Sequence, residues 1–153
     1  MQRSIVVRAP VALVFAVVAD PDLAAKHVPN ILAIRDRSPG PVGVGSTWHQ
    51  VMRVAGHTLE GRVQVVEYRP PQCCSIEMQG AAGMRARITM DLEPHAEGTL
   101  VRQTFDYHVP GGLVGAMAAR LFFDRMAERD IEENQRILKR VVEDLAAGQG
   151  TPE

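Results

Sequence analysis

The pattern of apolar and polar positions divides the chain into a strand-rich part and a long C-terminal helix. Between residues 84 and 92 every second residue is apolar, and this alternation predicts a strand with one dry face and one wet face. From Pro110 to about Ala147 the apolar residues recur three and four positions apart, which is the period of a helix. The predicted inner stripe of this helix consists of Leu113, Met117, Leu121, Ala127, Ile131, Asn134, Leu138, Val141 and Leu145.

The rest of the chain predicts one strand, two short helices and further strands. After the strand at 2–8, Pro10 begins a first helix, and Asp20 caps a second one that starts at Pro21. Strands are predicted at 31–37, 44–54, 57–68, 73–79, 84–92 and 99–109. Short turns between them predict an antiparallel sheet, whose apolar face only the C-terminal helix is long enough to cover. The sequence therefore predicts an α+β helix-grip fold, with a curved antiparallel sheet of about six to seven strands around the long helix.

The residues that this arrangement would bury are taken from the inward positions of the strands and the long helix. They are Val63, Ile88, Met90, Val101, Phe105, Leu121 and Leu138.

Length and composition predict one globular domain. The chain has 153 residues, of which 46% are hydrophobic, and we expect a single domain over residues 1–147 with a flexible tail at 148–153. The formal net charge is −1, with 17 basic and 18 acidic residues interspersed. Nucleic acid is therefore not an expected partner.

The cysteines and the apolar runs indicate in which cellular compartment the protein is expected. Cys73 and Cys74 are adjacent, so on a strand they would point to opposite faces, and we expect reduced thiols in a cytoplasmic protein. The apolar run from Ala9 to Ala19 is interrupted by Pro10 near its start, which argues against an export signal. No apolar run approaches about 20 residues, so no membrane span is expected.

The five histidines do not predict a metal site. No two of them have the short spacing of a structural or catalytic zinc site, and no phosphate loop, nucleophile elbow or zinc-protease motif is present. We therefore expect neither a metal nor another cofactor.

Three polar residues lie in phase with apolar neighbours on inward strand faces, and they indicate a binding site. Gln50, Gln103 and Tyr107 must each meet a protein group, a water or a ligand, because an unpaired buried polar group costs about 1–3 kcal/mol. The alternative is that Gln50 and Gln103 bond to each other or to the backbone. The predicted wall of an apolar cavity comprises Trp48, Gln50, Met52, Met84, Ile88, Gln103, Phe105, Tyr107, Met117 and Leu121.

The order of elements, together with several residues, resembles the START-like (SRPBCC, Bet v 1-like) superfamily. That superfamily includes polyketide cyclases and dehydrases, lipid transport proteins, plant pathogenesis-related proteins and a ubiquinone-binding group. The matching residues are Ile5, Val7, Ala9, Pro10, Val14, Phe15, Val18, Asp20, Gly43, Gly45, Ser46, Glu67, Tyr68, Pro70, Pro71, Gly98 and Thr99. One departure is Lys26-His27-Val28-Pro29, where many members have an aromatic residue shortly before the proline. The resemblance implies a deep cavity between sheet and helix that binds an apolar or amphipathic small molecule.

Three functions are compatible with these observations. Binding of a lipid, isoprenoid or polyketide-like molecule is favoured, because no paired acid and base occur at diagnostic spacing. A cofactor-independent cyclase or dehydratase is the first alternative, with Tyr107, His57 and Arg120 as candidate catalytic residues. An interaction module is the second, in which the apolar stretch Leu113 to Phe123 binds a partner or a second copy of the chain as a homodimer.

Overall fold

The protein is described by a computed structural model that covers residues 1–54, 56–80, 83–108 and 114–149. For residues 54, 57, 114–124, 126, 127 and 149 the description is limited to the backbone. The elements are β1 (Gln2–Val7), α1 (Val11–Val18), α2 (Pro21–His27), β2 (Ile31–Arg35), β3 (Thr47–Val54), β4 (His57–Arg69), β5 (Cys73–Gly80), β6 (Arg85–His95), β7 (Gly98–His108) and α3 (Val114–Gln149).

The seven strands form one antiparallel sheet in the order β1-β7-β6-β5-β4-β3-β2. The strands from β2 to β7 follow each other as neighbours, whereas β1 pairs with β7 at the far edge. The two short helices therefore carry the chain from one edge of the sheet to the other. The long helix α3 contacts β1, β3, α1 and α2, so the predicted helix-grip fold is confirmed.

The start of α2 shows how the local sequence sets an element boundary. Asp20 is the N-cap, and its Oδ1 accepts hydrogen bonds from the backbone N–H groups of Asp22 at 2.8 Å and Leu23 at 3.3 Å. Pro21 occupies the first helical position, where no N–H is needed. The predicted cap is thus confirmed.

Some predicted boundaries were wrong. The strand predicted from Val44 begins at Thr47, and Val44 is 69% exposed because the chain turns at Gly45 with φ of 93°. The strand predicted to reach Arg37 ends at Arg35, because Asp36 adopts a left-handed conformation with φ of 53°. The helix α3 extends two residues beyond the predicted end at Ala147. Residues 150–153 of the predicted tail lie outside the described part, so that prediction stays untested.

The inner face predicted for the last turns of α3 was also wrong. Val142 is fully buried, whereas Leu145 is 42% exposed and Val141 is only partly buried. Both Val141 and Val142 are apolar, so periodicity alone could not choose between them. The rotation of α3 follows its bonds to β1, where Gln135 Nε2 and Lys139 Nζ donate to backbone carbonyl oxygens of that strand at 3.3 and 3.0 Å.

The interior has a packed end and a hollow end. At the packed end, α1 lies between the sheet and α3 and fills the space with Val14 and Phe15, which are 0% and 4% exposed. Val7, Leu92, Val101 and Val142 belong to the same core, which continues along β4 through Val63 and Val65. At the hollow end, the predicted core residues Ile88, Met90, Phe105 and Leu138 are only partly buried. Leu121 lies outside the described side chains.

Candidate functional site: an apolar cavity between the sheet, α2 and α3

A cavity of about 180 Å³ lies at the hollow end, and it explains the partial burial of residues there. Its walls are the inner face of the sheet, the end of α1, the helix α2 with the following loop, and α3 from Asp130 to Leu138. Its described lining residues are Val17, Val18, Ala19, Pro21, Ala24, His27, Val28, Asn30, Ile31, Ile34, Trp48, Gln50, Met52, Cys74, Ile76, Ile88, Met90, Gln103, Phe105, Asp130, Ile131, Asn134, Gln135 and Leu138. Most of these side chains are apolar, so the cavity suits an apolar molecule.

One wall of the cavity is formed by three inward positions of β3. Alternation along the strand places Trp48, Gln50 and Met52 on the same face. The Trp48 Nε1–H donates to Gln50 Oε1 at 3.1 Å, and Gln50 Nε2 donates to the Met52 Sδ at 3.6 Å. Trp48 and Gln50 are each 5% exposed. These three residues, which the sequence placed on the wall of an apolar cavity, therefore line the cavity of the structure.

The opposite wall includes Gln103 and Phe105 on β7. Met90 and Ile88, their neighbours on β6, continue the same wall. The alternative that Gln50 and Gln103 satisfy each other is wrong, because Gln50 bonds to Trp48 and Met52. Within the described part of the chain, the Gln103 side chain has no hydrogen-bond partner. Its amide is therefore available to a ligand.

A polar group near α2 and α3 was not identified from the sequence. Asn134 Nδ2 on α3 donates to Asn30 Oδ1, in the loop before β2, at 3.2 Å, and His27 and Asp130 line the same end of the cavity. Gln135, which is 6% exposed, also lines the cavity, and its Nε2 donates to the backbone carbonyl oxygen of Arg3. The sequence feature that could have indicated this polar group was Asn134, a polar residue within an otherwise apolar helical stripe.

Several predicted site residues are not brought to the described cavity wall. Tyr107 packs its ring on Phe105, with the centroids 5.5 Å apart, and Met84 lies beside Gly80 before β6 begins. His57 is the first residue of β4, in the hairpin with β3, and its side chain is outside the description. The side chains of Met117, Arg120 and Leu121 are also outside it, so their predicted roles stay untested.

The two cysteines are poor nucleophiles at neutral pH. Burial, followed by the nearby Cys73 thiol, raises the pKa of Cys74 to about 11. Burial and a hydrogen bond with Asp91 raise the pKa of Cys73 to about 11 as well. Cys73 lies on the face of β5 opposite to Cys74 and is nevertheless buried, with 2% of its surface exposed. Only Cys74 lines the cavity, so it contributes a neutral, weakly polar surface there.

Across the described residues, no group of three or more His, Cys, Asp or Glu side chains is placed to hold a metal ion. Within the same ranges, no helix has the length and apolar character needed to cross a bilayer.

Comparison with known proteins places the chain in a family. Residues 1–143 match the family described as polyketide cyclase / dehydrase and lipid transport, so the chain belongs to that family. This match confirms the START-like resemblance inferred from the framework residues. A sequence comparison with curated proteins finds no match.

Solved structures share the fold at low sequence identity. The Zhui aromatase/cyclase from Streptomyces sp. R1128 has a TM-score of 0.77 at 16% identity, covering 99% of this chain and 98% of that one. The di-domain ARO/CYC StfQ from the steffimycin biosynthetic pathway has a TM-score of 0.78 at 13% identity, covering 96% of this chain and 52% of that one. A third structure, TTHA0849 from Thermus thermophilus, has a TM-score of 0.69 at 16% identity, covering 99% of this chain and 97% of that one.

Proposed function

We propose that the protein binds an apolar or amphipathic small molecule, such as a lipid, an isoprenoid or a polyketide-like compound, in the cavity at its hollow end. The observation that carries the proposal is the cavity itself, about 180 Å³ of space with predominantly apolar walls. Ile88, Met90 and Phe105 leave part of their surfaces open to it rather than packing on protein. Membership of a family described by cyclase, dehydrase and lipid transport functions supports the proposal.

The energetic cost of such a space supports a ligand. The cavity is partly open, so its apolar walls contact water when no ligand is bound, and leaving apolar surface in water costs about 25 cal/mol per Å². Protein interiors normally pack to a density of about 0.75, as the packed end of this chain does with fully buried valines. A bound apolar molecule would restore the missing contacts and offset this cost.

Two measurements test the proposal. Native mass spectrometry of the purified protein would show whether an apolar molecule co-purifies. Titration with the neutral fluorescent probe N-phenylnaphthylamine would report binding directly, and the Ile88→Trp variant should abolish it by filling the cavity. Arg85→Trp is the matched control, because Arg85 is exposed on the same strand and outside the cavity. Equal binding by wild type and Ile88→Trp, or no binding by wild type, would refute the proposal.

A cofactor-independent cyclase or dehydratase is the second candidate. His27 and Asp130 both line the cavity, so groups able to exchange protons with a bound molecule are present. They add to the predicted candidates, which are Tyr107, outside the described cavity wall, and His57 and Arg120, whose side chains the structure does not describe. Turnover of a linear poly-β-ketone that is lost in His27→Gln would support catalysis, whereas unchanged turnover in that variant would exclude His27.

The location and assembly of the protein are further proposals. We propose a cytoplasmic protein, supported by two adjacent cysteines that remain free thiols rather than a disulfide. A homodimer through the beginning of α3 stays a prediction, and sedimentation velocity across a concentration series would test it.

A further inference from the structure

The orientation of the Gln50 amide is set by its neighbour on β3. The indole N–H of Trp48 can donate a hydrogen bond but cannot accept one. Its 3.1 Å contact with Gln50 Oε1 therefore requires the amide oxygen to face Trp48. The NH₂ group of Gln50 must then point away from Trp48, and Gln50 presents a donor rather than an acceptor.

Within the protein, the NH₂ group of Gln50 donates to a weak acceptor. Gln50 Nε2 donates to the thioether Sδ of Met52 at 3.6 Å, and thioether sulfur accepts hydrogen bonds only weakly. Gln50 is 5% exposed and lines the cavity, so water gives its NH₂ group little compensation. A ligand oxygen in the cavity would be a better acceptor than the sulfur.

The charges around the cavity disfavour an anionic ligand. Among the described lining side chains, Asp130 is acidic, His27 is the one that can carry a positive charge, and none is a lysine or an arginine. A buried carboxylate or phosphate would therefore find no lysine or arginine on these walls and would lie in the same cavity as the acidic Asp130. The opposite wall adds Gln103, a neutral amide that can donate to or accept from a ligand group.

We infer that Trp48 holds Gln50 as a preset hydrogen-bond donor to a carbonyl or another neutral oxygen of the ligand. The cavity thereby selects neutral, oxygenated apolar molecules over hydrocarbons and over carboxylates. This inference rests on the proposed function and specifies the chemistry of its ligand.

Three naphthalene derivatives of similar size test the selection by isothermal titration calorimetry. Methyl naphthyl ketone offers a neutral acceptor, isopropylnaphthalene offers none, and naphthoate carries a negative charge. The ketone should bind to the wild type about tenfold more tightly than the hydrocarbon, the effect of one hydrogen bond. Naphthoate should bind more weakly than either neutral compound.

Variants of Trp48 and Gln50 distinguish the effect of the hydrogen-bond donor from the effect of the apolar cavity walls. Gln50→Met keeps the length of the side chain and should reduce the preference for the ketone to about twofold or less, with hydrocarbon binding retained. Trp48→Phe frees the amide to rotate and should reduce the preference to an intermediate value. Gln64→Met is the matched control, because Gln64 is exposed on β4 and should leave all three affinities unchanged.

The outcomes distinguish this inference from the proposed function. Equal wild-type affinity for ketone and hydrocarbon, tightest binding of naphthoate, or an unchanged preference in both variants would overturn the inference while the binding function stands. If Gln50→Met does not fold, the Trp48→Phe result decides alone. Failure of all three compounds to bind to the wild type would count against the proposed function itself.

Discussion

The packed end and the hollow end use the same strands for different purposes. On β6, Leu92 is 3% exposed and belongs to the core, whereas Met90, two residues earlier on the same face, lines the cavity. The difference comes from what covers them, because α1 places Val14 and Phe15 at the packed end. At the hollow end the sheet is covered by α3 and by the short helix α2, which contributes the small side chains Pro21 and Ala24 to the wall. One apolar sheet face can therefore serve stability at one end and binding at the other.

The largest expected effect is the difference in stability loss when a large side chain is shortened to alanine at each of the two ends. Leu92→Ala should lower the free energy of unfolding by about 2–5 kcal/mol, because it opens a void in close-packed surroundings. Met90→Ala should cost about 1 kcal/mol or less, because the vacated space joins an existing cavity. Urea denaturation of both variants measures the difference. Equal losses would show that the hollow end is packed like the rest of the core.

A ligand should stabilise the protein by binding in the cavity at the hollow end, so only substitutions that fill this cavity should remove the stabilisation. At one hundred times its dissociation constant, N-phenylnaphthylamine should raise the free energy of unfolding by about 2.7 kcal/mol. The same increment is expected in Leu92→Ala, whose substitution is outside the cavity, and none is expected in Ile88→Trp. Thermal melts with and without the probe measure these increments. A full increment in Ile88→Trp would place the probe elsewhere.

The two buried thiols should make the free energy of unfolding decrease at alkaline pH. In the unfolded chain a cysteine ionises near its ordinary pKa of 9.0, whereas in the folded chain the pKa values of Cys73 and Cys74 are raised to about 11. The unfolded state therefore loses protons first, and stability falls as pH rises from about 9 to about 11. Below about pH 9 both states hold these protons and no effect is expected.

The cavity-lining thiol accounts for part of this alkaline loss. Cys74→Ala should make the decline with pH shallower, as measured by urea denaturation at a series of pH values. It should not abolish the decline, because burial also raises the pKa of Tyr68 and acts in the same direction. A slope identical to that of the wild type would show that Cys74 ionises no later in the folded protein than in the unfolded one.

The smallest effect is expected where α3 meets the edge of the sheet. Arg3 on β1 lies 3.4 Å from carboxylate oxygens of both Glu128 and Glu132, but all three side chains are substantially exposed. Such pairs contribute about 0–1 kcal/mol, so Arg3→Gln should change stability by less than about 1 kcal/mol and leave probe binding intact. A larger loss at low salt that disappears at high salt would reveal a stronger role for these pairs in holding α3.

Much of the candidate site was predictable because it follows strand alternation. Trp48, Gln50 and Met52 share a face through the period of two, and Ile88, Gln103 and Phe105 lie on inward faces for the same reason. Tyr107 was in phase with these residues, yet it contacts Phe105 and does not line the described cavity. Alternation identifies which face of a strand is inward but not how far along the strand a cavity extends.

The sequence by itself determined the elements and their order, because breakers, caps and alternation act over a few residues. The Asp20-Pro21 cap and the alternation from 84 to 92 needed no knowledge of the fold. Tertiary structure alone decided three further properties: the rotation of α3 that buries Val142, the approach of Asn134 to Asn30 across 104 positions, and the cavity beside Met90. Each depends on how distant elements pack, and no local pattern encodes the space left between a curved sheet and the helices that cover it.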